Sequence, residues 1–249
     1  MRSKHFAAGL PSLKPAAKKP IVCYVTDWNS LIGTETGLTA ENAAPGILQN
    51  IEMALGAGVD WVQVREKRLP AGQLLKLARW IVQLTKARSA ATGQSARIII
   101  NDRLDVALAA RADGVHLGRE SSPAREVVRW FRAGNAPDGF VIGVSCHSVE
   151  EAREAKNAEA DYIFFGPVFE TPSKVGLGTP QGIVKLREVC RAVPMPVIAI
   201  GGVNQENAGS CIRAGATGIA AIRMFQESPD AKAIKDAVAR IHDVCKEEI

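Results

Sequence analysis

Short apolar runs in this chain end, one after another, in polar or glycine residues suited to binding ligands, and that recurrence limits the fold more than any other feature. Gln63, Arg65 and Lys67 follow Trp61-Val62, Asn101-Asp102 follows Ile98-Ile99-Ile100, and Ser145 follows Val141-Ile142-Gly143-Val144. Gly166 follows Tyr162-Ile163-Phe164-Phe165, and Gly201-Gly202 follows Val197-Ile198-Ala199-Ile200. Chemistry placed at the ends of many separate strands needs an architecture that gathers those ends on one face. A parallel α/β barrel does so.

From Ile21 onward, β-branched runs alternate with longer amphipathic segments, the pattern of repeated βα units. Eight runs, starting at Ile21, Val59, Arg97, Gly114, Phe140, Asp161, Val197 and Gly218, predict a single closed (β/α)8 TIM barrel. Helices are expected near Gly46–Leu55 and Leu104, and over Leu74–Lys86, Val149–Lys156 and Gln205–Arg213. A small-residue turn precedes each even-numbered strand, at Gly56–Asp60, Ala110–Gly114, Ala158–Asp161 and Ala214–Gly218. These read as one helix-to-strand turn reused about every 50 residues. The length of 249 residues, 47% hydrophobic but only 5% aromatic, suits one barrel with an aliphatic core.

The catalytic barrel is therefore assigned to residues 21–249. Residues 1–20 are read as a disordered basic extension, with a transit peptide as the alternative: Arg2, Lys4, Lys14, Lys18 and Lys19 lie there without any acid. The net charge of +5 is largely that tail's, and no aromatic-interleaved basic patch points to nucleic acid. Five scattered cysteines without C-x-x-C spacing argue against disulfides and thiolate metal sites and for a reducing cytoplasm. No apolar run approaches the roughly 20 residues that cross a bilayer, so a soluble protein is expected. Assembly into a homo-oligomer is left open.

In a strand, Gln63 and Arg65 point to one side, and Lys67 continues past the strand end. An amide and two cations converging there suit an oligophosphate; a solvated charged turn is the alternative. Asp102 ends an aliphatic strand, where it either holds Mg²⁺ shared with substrate phosphates or caps the next helix. Asn101 would hydrogen-bond the ligand. Thr171, Ser173 and Lys174 sit in a loop able to close over a charged group. Gly201-Gly202 and Ile222-Arg223 end the last two strands, where barrels commonly build phosphate sites from backbone N–H groups; ordinary turn chemistry is the alternative. Arg223 either adds charge there or pairs with an acid such as Glu227. His116 reads as a core residue, and His147 as a proton carrier or a helix-start residue. The long segment from Trp28 to Gly37 reads as a lid or an inert insertion.

Together these motifs resemble the thiamine phosphate synthase family and its thiazole tautomerase relatives over nearly all of the chain from Ile21. The resemblance rests on Val62–Lys67, Ile100–Arg103, Asp113–Gly118, Gly143–Ser145, Gly166–Phe169 and Ala199–Val203. It implies a TIM barrel and an alkyl transferase joining hydroxymethylpyrimidine diphosphate to thiazole phosphate, or its carboxylated form, with release of pyrophosphate. By resemblance, Gln63, Arg65, Lys67, Asn101, Ser145, Thr171, Ser173 and Lys174 bind the pyrimidine diphosphate, with Arg65, Lys67, Lys174 and Ser145 in the catalytic set. His147 joins the substrate-binding residues, Asp102 holds Mg²⁺, and the backbone of Gly201, Gly202, Ile222 and Arg223 faces the thiazole phosphate. Two positions depart from the family pattern. Ser121 stands where a second metal-binding acid is usual, and Arg223 where the eighth strand usually ends in serine. Tautomerase activity, with His147 as base, and a non-catalytic phosphate-ligand sensor are the alternatives.

Overall fold

The computed structural model describes residues 19–28, 40–135, 137–171 and 179–244. Strands and helices alternate as β1 Ile21–Val25, α1 Ala40–Ala57, β2 Trp61–Val64, α2 Ala71–Thr92, β3 Arg97–Asn101, α3 Leu104–Ala110, β4 Gly114–Leu117 and α4 Ala124–Trp130. A π turn at Phe131–Asn135 leads into β5 Val141–Cys146, α5 Val149–Asn157, β6 Tyr162–Phe165, α6 Gly182–Ala192, β7 Val197–Ile200, α7 Ala208–Arg213 and β8 Gly218–Ala221. Helices α8 Arg223–Gln226 and α9 Ala231–Asp243 follow. Every strand pairs in parallel with its sequence neighbours, and β8 closes on β1 from Ile21↔Gly218 to Tyr24↔Ala221. The expected TIM barrel is the observed one. Helix α7 starts three residues later than expected because the Asn204 side chain accepts the N–H groups of Glu206 and Asn207, at 2.9 and 3.0 Å, holding a turn there.

The period of two along each strand sorts the side chains into two layers. Val22, Tyr24, Val62, Ile98, Ile100, Val115 and Ile163 face the surrounding helices. Ile21, Cys23, Val25, Trp61, Ile99, Val141, Tyr162, Phe164, Ile198 and Ala220 fill the interior. Tyr162 lies across it, its ring 4.7 Å from that of Trp61. Glycine at position 143 makes room, since a Cβ there would sit 2.1 Å from the Tyr162 ring.

The repeated turns have a common chemistry. Asp60 accepts the Val22 N–H at 2.9 Å, Asp113 that of Ile98 at 2.7 Å, Asp161 that of Ile142 at 2.7 Å, and the Thr217 hydroxyl that of Val197 at 3.4 Å. Each of these four residues returns its own N–H to the carbonyl of the same partner, at 2.8 to 2.9 Å. The entrances of β1, β3, β5 and β7 are thus sealed by one device, which satisfies backbone groups that a strand start would leave unpaired.

Among the described residues no helix is long and apolar enough to cross a membrane. Cys23, Cys146, Cys190 and Cys211 are free, and burial pushes the last three up to about 12, so they stay protonated thiols. The extension expected over residues 1–20 lies outside the described residues except for Lys19 and Pro20. Most of the Trp28–Gly37 segment lies outside them as well.

Candidate active site

Strand parity brings Gln63, Asn101, His116 and Ser145 to the inner wall at the C-terminal mouth. Gln63 Nε2 donates to Asn101 Oδ1 at 3.1 Å, and Asn101 Nδ2 donates to Asp102 Oδ2 at 2.5 Å. This leaves each group with a fixed orientation. His116 Nε2 meets Ser145 Oγ at 2.9 Å and its Nδ1 meets the Tyr162 hydroxyl at 3.3 Å. Burial holds His116 down to about 3, with Asp102 pulling weakly the other way, so the ring stays neutral. It orients Ser145 and carries no charge.

Asp102 does not cap a helix. Arg103 occupies the cap position of α3, without a side-chain cap bond. Asp102 instead adopts φ 60°, its N–H donating to the His116 carbonyl at 2.8 Å. Asp102 Oδ1 accepts the Gly118 N–H at 3.1 Å and the Ser121 hydroxyl, so the loop after β4 is tied to the end of β3. With Asn101 on Oδ2, one lone-pair direction on that oxygen remains for a cation. Among the described residues no group of three or more His, Cys, Asp or Glu could hold a metal alone. A Mg²⁺ shared with substrate phosphates fits this donor set, because that ion retains waters and takes as few as one carboxylate.

Arg65 stands at the rim, its Nη1 2.8 Å from Asp27 Oδ2. Lys67, two residues on, lies exposed in the turn that follows. Between them Glu66 turns inward and is only 3% exposed. Burial pushes its carboxyl up to about 7, against hydrogen bonds from Thr26 and the Trp28 N–H and the charge of Arg65, with Asp27 adding to the rise. Asp27, Glu66 and Gln226 were not singled out from the sequence. Gln226 reaches Asp27 across 199 residues of chain, a contact that no local pattern announces.

His147 sits at the entrance of α5. Its N–H donates to Glu151 Oε2 at 2.5 Å and its Nδ1 to the Gly166 carbonyl, while Ser148, not His147, caps the helix through the Glu151 N–H at 3.0 Å. A cleft of about 530 Å³ beside it runs between α4 and α5, lined by Ala124, Arg125, Ser145, His147, Glu151 and Ala155 among others. Gly201 and Gly202 have φ 92° and 66°, and a Cβ on either would strike the chain between Pro167 and Glu170. Glycine is required at both, for the left-handed backbone and for the close approach. Thr171 ends the described part of the β6 loop; Ser173 and Lys174 lie outside the described residues.

Ile222 packs against the barrel interior, and its carbonyl starts α8. Arg223 does not extend into the mouth. Its Nε binds Glu227 Oε1 at 2.7 Å, one helical turn on, and its side chain is 58% exposed. Of the two arrangements read from the sequence, the pairing with Glu227 is the one present in this structure. Arg223→Ser is therefore expected to leave thiazole phosphate affinity within about twofold, as a surface pair contributes little. Calorimetric titration of wild type and variant checks this.

A closed barrel whose strand ends carry an ordered amide–carboxylate track, a rim guanidinium and a glycine pair defines a class, the (β/α)8 enzymes that work on phosphorylated small molecules. Residues 37–225 match the family model described as thiamine monophosphate synthase. The thiamine-phosphate synthase of Methanospirillum hungatei is 43% identical over 195 residues, covering 78% of this chain and 89% of that one. That of Methanocella arvoryzae is 40% identical over 200 residues, covering 80% and 88%. The solved thiamine phosphate pyrophosphorylase of Pyrococcus furiosus superposes with a TM-score of 0.72 at 29% identity, covering 91% of this chain and 96% of that one. The chain belongs to the thiamine monophosphate synthase family.

Proposed function

We infer that this chain is a thiamine-phosphate synthase, a transferase that joins hydroxymethylpyrimidine diphosphate to thiazole phosphate, or its carboxylated form, and releases pyrophosphate. The observation that carries the reading is the linked Gln63–Asn101–Asp102 track beside Arg65 on adjoining strand ends. A site for a single phosphate has no use for so many groups on one side of the mouth.

The bond that breaks joins the pyrimidine methylene carbon to the diphosphate oxygen. Its electron pair leaves with pyrophosphate, and the thiazole captures the resulting cation. Preorganised positive charge around the leaving group lowers this barrier most. Arg65 and Lys67 supply it from the segment that follows β2, and Lys174 is assigned the same role. Asn101, Gln63 and Ser145 orient the diphosphate-bearing substrate by hydrogen bonds, and Thr171 and Ser173 are assigned to the same substrate. His147 is assigned to the substrate-binding set through its place just beyond the end of β5, and the backbone of Gly201, Gly202 and Ile222 receives the thiazole phosphate. A Mg²⁺ bound by Asp102 and the diphosphate would neutralise charge on the departing oxygens. A cytoplasmic site of action accords with the free cysteines among the described residues.

With Ser121 filling one direction on Asp102, metal held by the protein alone is expected to bind weakly, and the diphosphate to tighten it at least tenfold. Calorimetric titration of Mg²⁺ with and without the pyrimidine diphosphate measures this; equal affinities would refute the shared-ligand arrangement. The function itself is tested by expressing the chain in a bacterium that lacks its thiamine-phosphate synthase. Growth without added thiamine is the expected result, and dependence on thiamine despite a soluble, folded product would contradict it.

A further inference from the structure

We propose that Asp27 is the positioning residue for Arg65, and that Gln226 and Glu66 hold Asp27 for this task. The proposal rests on the reading that Arg65 grips the diphosphate. A guanidinium on a long flexible stem stabilises a leaving group only if it is already aimed before the bond breaks. Asp27 Oδ2 engages Nη1 at 2.8 Å and uses one of the five N–H donors, so the rest of the fork can serve an anion. The side chains of Arg65 and Asp27 are 28% and 18% exposed, so the pair is partly shielded from solvent.

Asp27 is in turn held from both ends of its peptide. Its N–H donates to Gln226 Oε1 and its carbonyl accepts from Gln226 Nε2, both at 3.2 Å. Gln226 is buried in α8, so the clamp ties the end of β1 to the element after β8. On the other side the Trp28 N–H donates to the two Glu66 carboxylate oxygens at 3.1 and 3.3 Å. The backbone of Arg65 joins the same network, its N–H donating to Thr26 Oγ1 at 3.0 Å, while the Thr26 N–H donates to the Gln63 carbonyl at 2.9 Å. Main chain and side chain of Arg65 are thus both referred to the tip of β1. A carboxylate that only neutralised Arg65 would need no such frame.

The opposite role, a carboxylate that competes with the ligand for Arg65, makes the opposite prediction and so gives a decisive sign. The probe is pyrophosphate with Mg²⁺, titrated calorimetrically into the full chain. Asp27→Ala is expected to weaken binding roughly tenfold, as for one charge-assisted hydrogen bond. Asp27→Asn, which keeps the shape and one acceptor, should lose less and guards against misfolding of the alanine variant. In an Arg65→Gln background, Asp27→Ala should change the affinity less than about twofold, because there is no longer a guanidinium to aim. Unchanged or tighter binding by Asp27→Ala overturns the proposal. So does the same tenfold loss in the Arg65→Gln background, since that is the signature of a merely structural residue. Failure of the folded wild type to bind pyrophosphate at all would instead remove the functional reading beneath it, and the proposal with it.

Discussion

Arg65→Gln is expected to lower synthase turnover by roughly 10²- to 10³-fold, the usual loss when one preorganised donor to developing charge is removed. The residue stands at the end of β2 with its guanidinium fixed by Asp27, so no reorganisation is needed as charge builds on the departing pyrophosphate. The loss should fall on kcat, with KM for thiazole phosphate nearly unchanged, because that substrate is assigned to the other side of the mouth. Stability should move by only about 1 kcal/mol, since the pair is partly solvated. Lys174→Ala should behave alike. Steady-state kinetics with each substrate varied in turn, alongside thermal unfolding, checks both variants; near-normal turnover in either removes that residue from the mechanism.

Glu66 gives the largest expected effect on stability. Its folded-state carboxyl is raised by burial from 4.5 to about 7, so the folded protein holds this proton more tightly than the unfolded chain does. The resulting stabilisation is fully present below about pH 4.5 and is lost as the pH rises through about 7. The size is on the order of 3 kcal/mol. Glu66→Gln, which cannot ionise, should therefore gain stability relative to wild type as the pH rises from 5 to 8. His116 works in the other direction. Its folded-state value is depressed to about 3, so its contribution is present above about pH 6.5 and fades as the pH falls towards 3. Subtracting wild-type from variant unfolding free energies at each pH cancels that histidine. A difference that does not vary between pH 5 and 8 would mean that Glu66 ionises freely in the fold.

Periodicity carried the barrel. The runs at Ile21, Arg97, Gly114, Val197 and Gly218 begin strands at those residues, and β2, β5 and β6 begin one or two residues later than expected. The period of two that separates Val62 and Val64 from Trp61 and Gln63 also placed Gln63 and Asn101 on one wall, where they bond. The Asp-bearing turns were visible as a repeat, although their cause, side chains stitching the entrances of the odd strands, needed coordinates. What stayed hidden depends on contacts between distant segments. Arg65 could be read as a cation at a strand end, but its counter-carboxylate comes from the tip of another strand and is braced by Gln226. Glu66 sits inside the Gln63–Lys67 motif and reads as one more solvent-facing charge, because nothing local shows that it turns inward. At Arg223 the carboxylate of Glu227, four residues on, takes the guanidinium that a phosphate could have used; an acid one turn away is a ready partner for any cation on a helix.

The most direct test of the account is to incubate the purified chain with hydroxymethylpyrimidine diphosphate, thiazole phosphate and Mg²⁺ and to quantify both products over time. Thiamine phosphate and pyrophosphate should appear in a one-to-one ratio, and neither should form when the thiazole phosphate is left out. Absence of thiamine phosphate from a folded protein that instead isomerises the carboxythiazole phosphate would contradict the central claim.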